Sequence, residues 1–449
     1  EQRFPNGMKP IADYVHGLGM KAGLYTDAGN STCGSMWDND AAGIGAGIYG
    51  HEPQDAQLYF GDWGFDFIKI DYCGGDAGLN EKERYTSIRN SIDKVNKDVS
   101  INICRWAFPG TWAKDAATSW RISGDINAHW GSLRYVVGKN LYLSAYAGNG
   151  HYNDMDMMVI GFRNDSKVGG QGLTPTEEEA HFGLWCIMSS PLLIGCNLEN
   201  MPDSSLELLT NKELIALNQD PLGLQAYVAQ HENEGYVLVK DIEQKRGNVR
   251  AVALYNPSDT ICSFSVPFSS LEFGGNVKVR DLVKHSDLGN FSGTFEQTLP
   301  AHSAMFLRIE GETRLEPTLY EAEWAYLPLF NDLGKNPKGI IYAHDKEASG
   351  KMKVGFLGGQ PENYAEWREV YSENGGRYDM TIHYLYGKGR QIELDVNGII
   401  TKIDSLGKDN GHNQITVPVE LKAGYNTIRM GNSYNWAPDI DCFTLTKAL

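Results

Sequence analysis

The sequence predicts an N-terminal α/β domain of the (β/α)₈ barrel kind, followed by an antiparallel β domain and a β-sandwich. Three observations lead there. Strand-like and helix-like stretches alternate through the first half of the chain. The polar residues Asp27, Asp71, Cys73, Arg105 and Asp125 cluster where predicted strands end. After NQDPLG (218–223) the texture changes to short alternating strands separated by turn-rich joints. Active sites of barrels are built from the C-terminal ends of strands, which favours the barrel. A doubly wound sheet would also gather ligands at strand ends. No GxGxxG turn follows a predicted strand, however, and that counts against the nucleotide-binding version.

The strand candidates of the first domain (1–223) are KAGLYTDAG (21–29), FDFIKIDYCG (65–74), VSINICRW (99–106), SWRISGD (119–125), MDMMVIG (155–161) and PLLIGC (191–196). Amphipathic helices lie between them. MKPIADYVHGLGM sets Met8, Ile11, Tyr14 and Val15 at helical spacing, and EKERYTSIRNSIDKVNK does the same with Tyr85, Ile88, Ile92 and Val95. The second domain (224–311) reads as an antiparallel sheet made of YVLVKDI, VRAVALYN, TICSFSVPF, NVKVRDLV and SAMFLRIE. The third (312–449) runs from LYEAEWAYL to DIDCFTLTKA, with strands at the spacing of a β-sandwich. A chain of 449 residues is longer than one core usually serves, which agrees with several domains.

Composition excludes some functions. With 40 basic and 57 acidic residues the net charge is −17, so a nucleic acid would be repelled. No apolar run approaches the length of a membrane span. The seven cysteines include no CxxC pair, which argues against structural zinc, and their odd number leaves at least one thiol free. Aromatic residues make up 11% of the chain, which suits stacking on sugar faces and equally suits any β-rich protein.

The chemistry is carried by KIDYCGG and WRISGD, each placing an Asp at a predicted strand end beside a basic residue: Lys69 for Asp71, Arg121 for Asp125. Glycoside hydrolysis needs two carboxyl groups across the anomeric carbon, one ionised and one holding a proton. On spacing alone, an N-cap, a loop ion pair or a metal site would account for these two residues as well.

The ordered stretches RFPNGMKPIADYVHGLGMKAGLYTDAGNSTCGS, FDFIKIDYCGG, WRISGDI, HYNDMDMMVIG and LIALNQDPLG resemble glycoside hydrolase family 27, the α-galactosidase family. The resemblance covers residues 3 to about 310 and implies a barrel, an antiparallel β domain and hydrolysis with net retention. It assigns Asp71 as nucleophile and Asp125 as acid/base. It places Tyr25, Lys69, Cys104, Arg105, Trp106, Arg121, Asp156 and Met157 in the substrate pocket, with Lys69 and Arg121 on sugar hydroxyls. Asp154 is read either as a ligand contact or as support for the barrel rim, and the same alternative is open for Asp156. The resemblance further implies a disulfide between Cys33 and Cys73, hence a secreted or periplasmic protein. It leaves Cys104 unbridged, since Ala or Ser holds its usual partner's place before Trp120. Cys186 and Cys196 read as inert core residues.

Two features depart from the family pattern. The first two barrel strands, which carry an acidic pair for the sugar's 4- and 6-hydroxyls, are absent before EQRFPNGM; an N-terminal segment or another chain is expected to supply them. Arg105 stands where family members carry an uncharged or acidic residue, which changes the charge beside the substrate's 2-position. The third domain resembles a carbohydrate-binding module of the family 6/35 type through YEAE, Gly376-Arg377-Tyr378, VNG, AGYNTIRM and DID. That resemblance implies a structural Ca²⁺ at Glu321 or Glu323 with Asp441, and a sugar site at Asn435 and Trp436. No cofactor is expected for catalysis. The preferred reading is an exo-acting α-galactosidase on an oligosaccharide or polysaccharide. The alternatives are another sugar with the same mechanism (β-L-arabinopyranosidase, α-N-acetylgalactosaminidase or isomaltodextranase) or a non-catalytic carbohydrate-binding protein.

Overall fold

Short runs rich in β-branched and aromatic residues make the first five strands: Gly23–Asp27 (β1), Phe67–Asp71 (β2), Ser100–Ile103 (β3), Ser119–Arg121 (β4) and Tyr152–Asp154 (β5). They form one parallel sheet in chain order. Ile68, Ile70, Ile101, Ile103 and Trp120 are buried, as strands covered on both faces require. The structure is a computed structural model and describes residues 4–75, 79–162, 172–232, 234–333, 339–404 and 411–448. Glu1–Arg3, where the first motif begins, lie outside the described residues. By compactness the chain divides into two units. The first is Glu1–Asp125 with Gly150–Asp154 and Asn331–Leu333; the second is Ile126–Asn149, Met155–Phe330 and Gly334–Leu449.

In the first unit the helix Glu81–Asp93 buries Tyr85, Ile88 and Ile92 on the predicted stripe, and Asn80 caps it by accepting from the Glu83 amide at 3.1 Å. The helix Lys9–Gly17 starts with Pro10 in its first turn, but Tyr14 of its predicted stripe is exposed. Periodicity found that helix and overstated how much of it is covered.

Two predicted strands differ from the structure. The strand expected at 155–161 lies at Tyr152–Asp154, and the run after it keeps one parallel bridge, Met158 to Ile194. PLLIGC (191–196) holds only that same bridge. Asp156 has φ +77° and Gly161 φ +84°, which break the extended conformation on both sides of Met158.

Among the described residues the antiparallel strands all lie in the second unit. Tyr227–Glu232 (β6), Gly235–Asp241 (β7), Val249–Asn256 (β8), Cys262–Pro267 (β9), Phe273–Asp281 (β10), Ser286–Ser292 (β11), Thr294–Leu299 (β12) and Ser303–Arg314 (β13) build a sheet β11-β10-β13-β8-β7-β6 and a pair β12-β9. Val239, Val252, Leu254, Phe264, Val277 and Ile309 form the core of this region. The helix Pro175–Ile187 packs on β13, and Gly183 makes that possible: a Cβ there would come within 2.0 Å of the Phe306 ring.

The remaining strands are Leu319–Glu321 (β14), Ile341–His344 (β15), Met352–Gly355 (β16), Tyr364–Ser372 (β17), Gly376–Leu385 (β18), Ile392–Val396 (β19), Ile399–Ile403 (β20), His412–Leu421 (β21), Gly424–Gly431 (β22) and Asp439–Lys447 (β23). One sheet runs β15-β16-β23-β18-β21 with β14 on β23, and the other runs β17-β22-β19-β20. Trp367, Ile382, Leu394, Ile428 and Phe443 fill the space between them, as expected of a sandwich.

Candidate active site

Strand alternation puts Tyr25 and Asp27 on the same face of β1. The parallel register sets Tyr25 level with Lys69 and Asp27 level with Asp71 on β2. The Tyr25 hydroxyl lies 2.8 Å from Asp71 Oδ2 and 3.0 Å from Asp27 Oδ2. Lys69 Nζ sits 5.9 Å from the centre of the Tyr25 ring. Asp27 also accepts the backbone amides of Cys33 at 3.1 Å and Cys73 at 2.9 Å. Burial, with the charge of Asp71 beside it, raises the Asp27 carboxyl to about 6 against the pull of those amides. Burial and the two carboxylates push the Tyr25 phenol far above its ordinary value.

Cys33 and Cys73 are bonded, with their Cα atoms 5.0 Å apart, as the family resemblance implied. The two loops meet closely at Gly29, where a Cβ would fall 2.1 Å from the Gly74 carbonyl carbon. Only glycine fits there.

Across β3 and β4, Arg121 is buried and donates to Asp125 Oδ1 at 3.0 Å, with Cys104 Sγ 3.8 Å from its other terminal nitrogen. The Asp125 side chain is 74% exposed, so it can meet an incoming substrate and exchange protons with water. Cys104 is an unbridged thiol, as expected, and burial pushes it up. Cys186 is also unbridged and buried, whereas Cys196 is only half-buried, short of the core position expected for it. Arg105 pairs with Glu81 at 3.0 Å, and its guanidinium lies 4.8 Å over the Tyr72 ring and 5.6 Å from that of Trp106. The expected change of charge at this position is therefore offset by a neighbouring carboxylate. Trp106 has φ +58°, a conformation that costs a bulky residue about 1–3 kcal/mol and is found where a site fixes a side chain.

Asp154 accepts from Asn102 Nδ2 at 2.8 Å in the buried sheet, a contact in keeping with the supporting alternative. In the second unit Asp156 accepts the amides of Ile126 at 2.9 Å and of Met157 at 2.8 Å. Its own carbonyl takes the Trp185 indole N–H at 2.8 Å. His181 Nε2 accepts the Val159 amide at 3.0 Å, and burial lowers that imidazole to about 3, so it stays neutral. Met157 is half-buried beside these residues.

Of the residues singled out in the sequence, Tyr25, Lys69, Asp71, Cys104, Arg105, Trp106, Arg121 and Asp125 all belong to the first unit, and Asp156 and Met157 to the second. Sequence reasoning gave no role to Asp27, Glu81 or His181. The two-residue spacing of Tyr25 and Asp27 was a usable signal for the first. Nothing in the local sequence links Glu81 to Arg105 or His181 to Val159.

In the sandwich, Glu321, Glu323 and Asp441 are all buried. The Ser349 amide donates to Asp441 Oδ1 at 2.9 Å, and the Ser349 hydroxyl donates to Glu321 Oε1. Among the described residues no donor reaches Glu321 Oε2 or either oxygen of Glu323. Burial raises Glu321 to about 7 and Asp441 to about 6, and with the neighbouring acids it raises Glu323 as well. Oxygens of Glu321 and Asp441 lie close enough to share one ion, with the Cys442 sulfur beside them; buried carboxylate oxygens without donors need a proton or a cation, so this oxygen pair fits the expected Ca²⁺. At another edge Asn435 is exposed, and Trp436, 43% exposed, stands 6.4 Å from the half-exposed Phe356 ring.

Two family models match the chain: alpha galactosidase A over residues 1–220 and the alpha galactosidase C-terminal beta sandwich domain over 234–309. Alpha-galactosidase 3 of Arabidopsis thaliana is 37% identical over 67% of this chain and 66% of its own length. The α-galactosidase of Oryza sativa matches over 64% of its length, so the chain spans just under two thirds of both plant proteins. Alpha-galactosidase A of Cellvibrio japonicus is 34% identical over 69% of this chain and 77% of its own. Among solved structures, alpha-galactosidase I of Mortierella vinacea is 26% identical, with a TM-score of 0.60 over 69% of this chain and 82% of that one. A GH27 β-L-arabinopyranosidase of Geobacillus stearothermophilus shares the fold at 24% identity, with a TM-score of 0.59 over 70% of this chain and 79% of that one. With its parallel strands, its bridged strand ends and these matches together, the chain belongs to the α-galactosidase family, glycoside hydrolase family 27.

Proposed function

We propose that the protein hydrolyses terminal α-D-galactosyl residues by double displacement. Asp71 attacks the anomeric carbon to form a glycosyl ester while Asp125 gives its proton to the departing oxygen. Asp125 then takes a proton from the water that cleaves the ester, and the configuration is retained. The observation that carries this reading is the placement of the two carboxyl groups: Asp71 ends β2 with Tyr25 bound to it, and Asp125 follows β4 with Arg121 bound to it. Their surroundings suit different tasks. Asp71 is buried where its orientation is fixed, and Asp125 is exposed where protons come and go.

Lys69, Arg121, Trp106, Cys104 and Arg105 complete this side of the sugar pocket in this proposal. The bridged Cys33 and Cys73 support a secreted or periplasmic location. Among the described residues no helix is long and apolar enough to cross a membrane. The sandwich acts as a carbohydrate-binding module with Asn435 and Trp436 on the sugar. Glu321, Glu323 and Asp441 hold a Ca²⁺ that would neutralise their buried charge and tie β14 to β23.

A panel of p-nitrophenyl glycosides tests the activity. The α-galactoside should turn over fastest, with the α-anomer of galactose as first product by NMR. Faster turnover of the β-L-arabinopyranoside would move the protein to that substrate, and an inverted first product would end the double-displacement reading.

A further inference from the structure

We propose that Asp27 is a positioning residue of the reaction, acting on Asp71 through the Tyr25 hydroxyl and on the pocket wall through the amides of both bridged cysteines. The inference rests on the reading of Asp71 as nucleophile. Asp27 is wholly buried at the end of β1 and accepts bonds from three separate places: Tyr25, Cys33 and Cys73. No other described carboxylate holds both sides of the disulfide.

The Tyr25 hydroxyl has one proton and two carboxylate neighbours. If both carboxylates are ionised, only one can receive that proton, and the other faces a bare oxygen lone pair. If Asp27 carries a proton, the conflict disappears. Asp27 donates to the phenolic oxygen, and the phenolic proton goes to Asp71, the nearer acceptor at 2.8 Å. The nucleophile then receives an undivided hydrogen bond and keeps one orientation. The charged and titratable groups around Asp27 are Asp71 and Lys69 on β2, Tyr25 on its own strand, and Arg84, which donates to the Ala28 carbonyl at 2.8 Å. The backbone amides of Cys33 and Cys73 complete its surroundings.

α-Galactosyl fluoride is the substrate for the test, because fluoride leaves with little help from a general acid and the profile then depends little on Asp125. For the intact protein, kcat/KM should fall as pH rises through about 6, where Asp27 ionises. Asp27→Asn should be flat across that window. Tyr25→Phe should also be flat, and slower by on the order of 10- to 100-fold, the worth of a hydrogen bond to a charged group. An inflection that survives in Asp27→Asn, or a flat profile in the intact protein, overturns the inference. Should Asp27→Asn fail to fold, Tyr25→Phe decides alone: an unchanged inflection there also overturns it. The ¹³C carboxyl resonance of Asp27 reports the same titration without turnover, and a midpoint at the ordinary aspartate value would refute the proposal. Trapping with a fluorinated galactosyl fluoride and mapping the labelled peptide tests the underlying assignment separately. A label away from Asp71 defeats the nucleophile reading, whereas a label on Asp71 with unaltered profiles in both variants defeats only the role of Asp27.

Discussion

The protein buries two groups of acids, and they are treated differently. At the ends of β1 and β2, Asp27 and Asp71 share two main-chain amides and a phenol, and one of their four oxygens, Asp71 Oδ1, has no donor among the described residues. In the sandwich, Glu321, Glu323 and Asp441 receive one amide and one hydroxyl, and three of their oxygens have no donor among the described residues. A carboxylate surrounded by N–H and O–H groups is held in one orientation and exchanges protons, which is what catalysis requires. A carboxylate left with bare oxygens repels its neighbours until a cation arrives. By that difference in donor supply the first group suits a proton site and the second suits the cation proposed for it.

The largest expected effect is on the first group. Asp71→Ala should lower turnover by about 10⁴-fold or more, and azide should restore part of it with inverted product. A variant with near-normal turnover would remove Asp71 from the chemistry and dissolve the contrast. Next comes the bridge that Asp27 holds. It closes a loop of 40 residues, so replacing both Cys33 and Cys73 with Ser should cost about 4 kcal/mol in chemical denaturation. A loss below about 1 kcal/mol would show that the amide bonds to Asp27 hold the loops without it.

The second group is tested by metal. Ca²⁺ at a hundredfold excess over its Kd should add about 2.7 kcal/mol to the sandwich, seen as a higher melting temperature that a chelator reverses. Glu323→Gln should abolish that response. If the melting temperature ignores both Ca²⁺ and chelator, the three acids are a proton site as well.

The smallest effect concerns pH. Glu321 and Asp441 titrate at about 7 and about 6 in the folded protein, above their values in an unfolded chain. In that window the folded state binds more protons, so without metal, stability should fall as pH rises from about 4 to about 7. With Ca²⁺ present the order reverses, because the cation needs the ionised form. Two melting curves against pH that cross would sharpen the comparison; parallel curves would erase it.

Much of this was legible in the residues. The alternation of strand and helix, the β1 and β2 strand ends and the Cys33–Cys73 bridge agree with what the sequence and its family resemblance suggested. The strand run at 155–161 was misplaced because its apolar composition hides the positive φ of Asp156, and aspartate tolerates that conformation without announcing it. The role of Asp27 was half-visible. Its spacing from Tyr25 could be read, but the amides it accepts come from Cys33 and Cys73, brought in by the loops. Arg105 was identified as an unusual charge, while its partner lies 24 positions earlier at the start of a helix, where a glutamate looks like ordinary support for the helix N-terminus.

That pairing bears on how the pocket can change over generations. Glu81 is the more deeply buried partner, with its side chain 7% exposed against 20% for Arg105. A neutral residue at 105 would take away a guanidinium from a buried carboxylate, a loss of about 3–5 kcal/mol, whereas a neutral residue at 81 leaves an arginine that can still reach water. The two positions are therefore expected to covary, and the order is constrained: a lineage that exchanges Arg105 for an acidic or uncharged side chain has an easier path if position 81 changes first. Under the proposed function, specificity at the sugar's 2-position would then depend on position 81 as well as on position 105.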